Sequence, residues 1–329
     1  MESNLICEKY EEDLFLYYTI GFSQLFDLET GKIITIIGEH HNRADLPFSQ
    51  EQGDQLAREH RLMRPHEYIL QTEMDTLLLT EIPPNESITN PQIPSINLRD
   101  MAKHPLQPVS NKHTSQTSFS DLRPEIFWLQ DKPGLYLDIL FGNDAFSQLT
   151  YDEWCVIKEK ILDLFKYVLN LETTPISLKQ YTNKFVNILN KKIPELLKKQ
   201  VDRQNYTLVT EEELKRGWTK VLLHNPLLHT YFIQIQQAVL DIVILNEIYI
   251  KKDFQNIIIV VGDNHRKNFV EYLTRYSKSK MLFETHSTTN VVNLKGSYTP
   301  NTLEKCLKDF SQTKRPREHD FEKNKLRKI

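Results

Sequence analysis

Two histidines in this chain each stand two residues after a carboxylate and three after a glycine, in Gly38-Glu39-His40-His41 and Gly262-Asp263-Asn264-His265. An imidazole and a carboxylate at that spacing can bind a metal, orient one another or pass a proton. The glycine lets the backbone turn sharply or come close to a ligand. If the two segments are neighbours in space, Glu39, His41, Asp263 and His265 converge on one pocket. Two imidazoles and two carboxylates suit a divalent metal, or a metal-free acid/base pair acting on water; the spacing leaves both open. A histidine after a single strand is often no more than a hydrogen-bonded turn residue, and it is the repetition that sets these two apart.

From this pattern Glu39, His41 and His265 are expected catalytic residues, and Glu73, late in the strand region 67–79, is expected to join them in the same pocket. His40 (the variable position of the motif), Asp263 and Arg99 are expected to contact substrate, Arg99 as an anion-binding fork. A divalent metal would draw on His41, His265, Glu39 and Asp263. Asp138 lies in an apolar run and would be costly to bury without a partner. The remaining histidines show no paired spacing and are expected to be structural or solvated. No P-loop, dinucleotide-binding glycine fingerprint, H-E-x-x-H or G-x-S-x-G occurs, which removes the simplest nucleotide, zinc-peptidase and serine-hydrolase readings.

The elements that must position these residues can be read around them. Ile33-Ile34-Thr35-Ile36-Ile37 and Asn256-Ile257-Ile258-Ile259-Val260-Val261 are nearly continuous apolar runs, the mark of strands covered on both faces. Ligand sites of open α/β sheets form beyond the carboxyl ends of such strands, where both motifs fall. Gly31 provides a turn before the first run. Ser49 with Gln52 forms a capping box for a polar helix expected to reach about Met63, and 67–79 reads as a strand region. The Pro-, Ser-, Thr- and Asn-rich stretch 83–124 reads as a long surface loop, and 134–142 as a short strand with its turn. Apolar residues from Trp154 to Ile193 repeat at helical spacing, and Thr210 with Glu213 offers another capping box.

These pieces predict an α/β fold: a mostly parallel β-sheet flanked by helices, with a helical insertion and a disordered basic tail. The expected organisation is a first α/β half (1–149), a helical insertion or cap (150–251), a second strand–helix part of the core (252–311) and a flexible tail (312–329).

Bulk properties exclude little else. The 329 residues are 40% hydrophobic and 26% charged with a net charge of −3, so there is no global pull toward nucleic acid or an anionic membrane. The exception is the tail, where Lys314, Arg315, Arg317, Lys323, Lys325, Arg327 and Lys328 gather; nucleic acid is expected to bind there or nowhere. Cys7, Cys155 and Cys306 are too few and too scattered for a disulfide framework. The segment 227–249 is apolar but broken by Gln, Asp, Asn and Glu residues, which points to a buried helix and not a membrane span. With no apolar stretch among the first residues, an intracellular, cytoplasmic protein is expected.

The order of the pieces resembles the erythromycin esterase/ChaN-like superfamily and its TraB/Tiki relatives. Gly38, Glu39 and His41 match its first motif, Glu73 its second acidic position, Arg99 its arginine, and Gly262 with His265 its last motif. The resemblance implies an α/β fold with a pocket at the strand ends and a small-molecule or peptide substrate. Some members resemble hydrolases that activate water with His and Glu, some are metal-dependent peptidases, and one branch binds haem; a divalent metal is expected here before haem. The Asn-, Lys- and Ile-rich usage with long insertions also resembles proteins of large DNA viruses, where a host-interaction or scaffold role would be the alternative to catalysis.

Overall fold

The computed structural model describes residues 9–39, 49–59, 61–72, 75–81, 115–119, 123–127, 129, 149–197, 218 and 225–299. By their contacts the residues divide into two compact units, Met1–Phe119 with Asp253–Ile329, and Ser120–Lys252.

The first unit begins with β1 (Phe15–Tyr17), β2 (Thr19–Phe26) and β3 (Ile33–Glu39). Gly31, at φ 73°, turns β2 into β3. There follow α1 (Gln50–Arg58), β4 (Leu62–Met63), α2 (Pro65–Leu70), β5 (Thr76–Thr80) and β6 (Ser115–Phe119). The unit resumes with β7 (Asn256–Gly262), a helix over Asp263–Arg275, β8 (Lys280–His286) and β9 (Val291–Asn293).

The large sheet has the order β6-β5-β7-β3-β2-β8, and a small one has the order β4-β1-β9. β6, β5, β7 and β3 run parallel, whereas β2 pairs antiparallel with both β3 and β8. The fold is therefore mixed α/β, and the expectation of a mostly parallel sheet is corrected. The physical reason is the short connection at Gly31: a tight hairpin can join only antiparallel neighbours, whereas parallel ones need a crossover.

Both faces of the sheet's central strands are covered, as the apolar runs require; every residue of β3 and β7 is buried. On one face Phe22, Ile37, Leu78, Ile258 and Val260 pack with Leu16 of β1, Tyr68 and Ile69 of α2, and Val292 of β9. The helix Asp263–Arg275 lies over the other, burying Phe269, Tyr272 and Leu273.

Three local expectations are revised. The polar helix starts at the Ser49–Gln52 capping box but stops at Arg58, and Leu62–Met63 instead pairs with β1. The expected strand at 67–79 is divided between α2 and β5. Pro65 at the helix start, with the Glu67 side chain bonded back to the Arg64 N–H, favours a helical turn there. Within 83–124, read as loop, residues 115–119 form a strand paired to β5. The expected strand at 134–142, the Thr210 capping box and the basic tail lie outside the described residues.

The second unit is helical where it is described: α3 (Arg123–Ile126), α4 (Tyr151–Asn170), α5 (Ile176–Asn187) continuing into a π turn at Ile188–Lys192, and α6 (Pro226–Ile250). The next helix in chain order, Asp263–Arg275 of the first unit, is α7. Thr150 and Glu153 cap α4 reciprocally. Trp154 of α4 packs edge-on against Phe232 of α6 at 4.4 Å, and Thr174 donates to Asn246 of α6 at 2.9 Å. α6 is the one described helix long and apolar enough to cross a membrane by length and composition, and half of its most apolar window is buried against the protein.

Candidate functional site

Parallel pairing sets the carboxyl ends of β5, β7 and β3 side by side. Thr80 is in register with Val260, and Glu39 with Gly262. The residues that leave these three strands therefore share one edge: Glu81 after β5, Asp263 and His265 in the first turn of α7, and Glu39 at the end of β3.

Glu81 is the residue sequence reasoning missed. Its carboxylate is buried, and Oε2 accepts the Gly262 N–H at 2.9 Å. The other oxygen, Oε1, lies 3.7 Å from Nε2 of His265, itself only 6% exposed. Glu81 thus joins two adjacent strands and faces the imidazole of the second motif. A sequence signal for it exists: it closes the strand run Leu77-Leu78-Leu79-Thr80, as Glu39 and Asp263 close theirs one glycine further on. Glu73, expected in this role, precedes a strand that begins only at Thr76.

Asp263 is engaged otherwise than expected. Oδ1 accepts from Arg266 Nε at 2.6 Å, while Oδ2 pairs with Lys267 Nζ at 2.8 Å and lies 3.5 Å from His286 Nε2. Burial pushes its carboxyl up, but hydrogen bonds and positive charge from Lys267 and Arg266 outweigh that and hold it below its ordinary value. Arg266 is buried as well. It also donates to Ser23 of β2 at 2.7 Å and pairs with Glu284 of β8 at 2.9 Å. A buried carboxylate so matched by cations binds α7 to the sheet and is not presented to a substrate or metal.

The two motif acids also leave the sheet on different sides. A Cβ placed on Gly38 would meet Asp263 Oδ1 at 2.8 Å, so that position faces α7. Side chains alternate along a strand, which turns Glu39 to the opposite face. The expected convergence of Glu39 with Asp263 is corrected on this ground, while His265 and Glu81 do come together. His40, His41, Glu73, Arg99 and Asp138 lie outside the described residues. Among the described residues no group of three or more His, Cys, Asp or Glu side chains could hold a metal ion.

No family model, no curated protein and no solved structure matches this chain. Function has to be argued from the edge itself: a buried imidazole beside a buried carboxylate that is fixed by a backbone N–H, at the strand ends where α/β folds place ligands.

Proposed function

We propose that this chain is a hydrolase-like enzyme in which His265 activates water at the carboxyl edge of β5, β7 and β3. The single observation carrying this reading is the His265–Glu81 contact of 3.7 Å, with Glu81 held in turn by the Gly262 N–H. A base oriented by a carboxylate that is itself oriented is the arrangement general acid/base catalysis uses, and such contacts tighten when substrate binds. Glu39 ends the adjacent strand, and His41 follows it two residues later. In the resemblance to the erythromycin esterase/ChaN-like group this pair has an acid/base role; because Glu39 leaves the sheet on the side opposite Asp263, the reading here rests on His265 and Glu81. The substrate is a small molecule or peptide with a hydrolysable acyl or related bond.

The test is hydrolysis of 4-nitrophenyl acetate by the full chain. His265→Ala is expected to lower kcat by ~10²-fold or more, the usual worth of a general acid/base, and Glu81→Gln by less. Wild-type rates in His265→Ala would overturn the reading.

One observation favours a second reading, a non-catalytic binding or scaffold protein that retains the fold. Asp263, the acid of the second motif, is committed to Arg266 and Lys267. Wild-type protein that hydrolyses no ester above the solution rate would favour this alternative.

A further inference from the structure

The acid of the second motif faces a histidine from another element. His286 ends β8, in register with Gly21 of β2. β3 and β8 both pair antiparallel with β2 and so run the same way. His286 therefore leaves the sheet at the carboxyl edge, where α/β folds place ligands. Its Nε2 lies 3.5 Å from Asp263 Oδ2. A Cβ on Gly21 would stand 2.3 Å from Asp263 Oδ1, so the missing side chain is what lets the carboxylate reach β8.

Access separates this histidine from His265. The His286 side chain is 45% exposed, that of His265 only 7%. Asp263 is buried and anchored by Arg266, so the imidazole is oriented by a fixed carboxylate while its ring stays open to solvent. In its neutral form the ring directs Nε2–H at Oδ2 and keeps the Nδ1 lone pair, the arrangement a general base requires. Lys267 approaches the same Oδ2 at 2.8 Å and is itself more than half exposed. An ammonium has three donors, and one contact with Asp263 leaves others for a ligand. An imidazole and an ammonium, both facing solvent, thus meet at one buried carboxylate oxygen.

We propose that His286 is the base of a second, solvent-facing hydrolytic site, on the α7 side of the sheet, for esters that carry a negative charge. Lys267 holds the anionic group. Nδ1 of His286 takes a proton from water, the hydroxide oxygen bonds to the acyl carbon, and the bond from that carbon to the alcohol oxygen breaks. The proton on Nδ1 then passes to the leaving alkoxide, or to solvent where the leaving group is a weak base. Asp263 keeps Nε2–H in place and is a positioning residue. This site uses neither His265 nor Glu81 and does not depend on the role given to them.

The probe is mono-4-nitrophenyl suberate, whose carboxylate is too far from the ester to attack it, hydrolysed by the full chain beside neutral 4-nitrophenyl acetate. His286→Gln should lower kcat for the suberate by ~10²-fold. Lys267→Met should raise the KM for the suberate roughly two- to fivefold, the worth of one exposed charge contact, with kcat little changed and the KM for the acetate unmoved. Should His286→Gln lose structure, this split in Lys267→Met decides on its own. Suberate hydrolysis by a folded His286→Gln at the wild-type rate, none by wild type above the solution rate, or an equal response of both esters to Lys267→Met overturns the proposal. His265→Ala should hydrolyse the suberate as wild type does. If it fails as His286→Gln fails, one site serves both residues and the second site falls; if it also keeps wild-type acetate hydrolysis, water activation at His265 falls and the His286 site stands.

Discussion

Gly21 and Gly38 lie opposite one another across β2 and β3, and the Asp263–Arg266 ion pair occupies the slot their missing side chains leave. A Cβ on Gly38 would stand 2.8 Å from both Arg266 Cδ and Asp263 Oδ1; one on Gly21 would be closer still, 2.6 Å from Arg266 Cζ among others. The glycine of the first motif therefore serves the acid of the second. One motif makes room on the sheet for the charge pair that seats the other's helix.

Alanine at either glycine should accordingly disturb a buried ion pair that has nowhere to move. We expect Gly21→Ala to cost ~2–3 kcal/mol in urea denaturation, the range of overpacked sites, and Gly38→Ala somewhat less. The diagnostic is non-additivity. In an Arg266→Ala background the same glycine substitution should cost much less, because the atoms it strikes are gone. Additive losses would place the strain elsewhere.

Glu81 offers a separation of structure from chemistry. Glu81→Ala leaves the buried Gly262 N–H without its acceptor, a loss of about 1–3 kcal/mol. Glu81→Gln keeps an acceptor oxygen and should lose less than about 1 kcal/mol. If the carboxylate orients His265, both variants should nonetheless show reduced ester hydrolysis. A glutamine variant with full activity would reduce Glu81 to a strand tie.

Much of this arrangement could be read before any coordinates. The strands β3 and β7 announce themselves because a strand buried on both faces needs apolar residues at successive positions, and Ser49–Gln52 marks its helix start by a hydrogen-bonding pattern local to the chain. What was hidden depends on partners distant in sequence. β8 is an edge strand whose residues are mostly exposed or half-buried, so it carries no apolar signature, and with it the antiparallel side of the sheet was not foreseen. Asp263 looked like a ligand because nothing in its own segment reveals that Gly21 and Gly38 make space for it and Arg266. Glu81 escaped notice because its meaning comes from Gly262, 181 positions later. The left-handed backbone of Tyr18 has no sequence signal, since tyrosine is among the residues least suited to it.

Lys32 gives the fold a pH dependence of its own. It closes the β2–β3 hairpin, where the Asp27 N–H donates to its carbonyl at 2.8 Å, and it is only 3% exposed. Burial lowers its amine to about 8, against the opposing attraction of Asp27 and Asp253. Below pH 8 the amine is charged in both folded and unfolded chains. Between about 8 and its ordinary value of 10.5, the unfolded chain keeps a proton that the folded chain has released. Stability therefore rises with pH across that window. Burial pushes Tyr10 up to about 12, so above its ordinary value of 10 the unfolded chain is first to lose a proton and the trend reverses sign. The clean interval is about pH 8 to 9.5. Urea midpoints for wild type should increase through it, and Lys32→Met, which cannot titrate, should show a flatter profile. An equal rise in both proteins would assign the effect to another group.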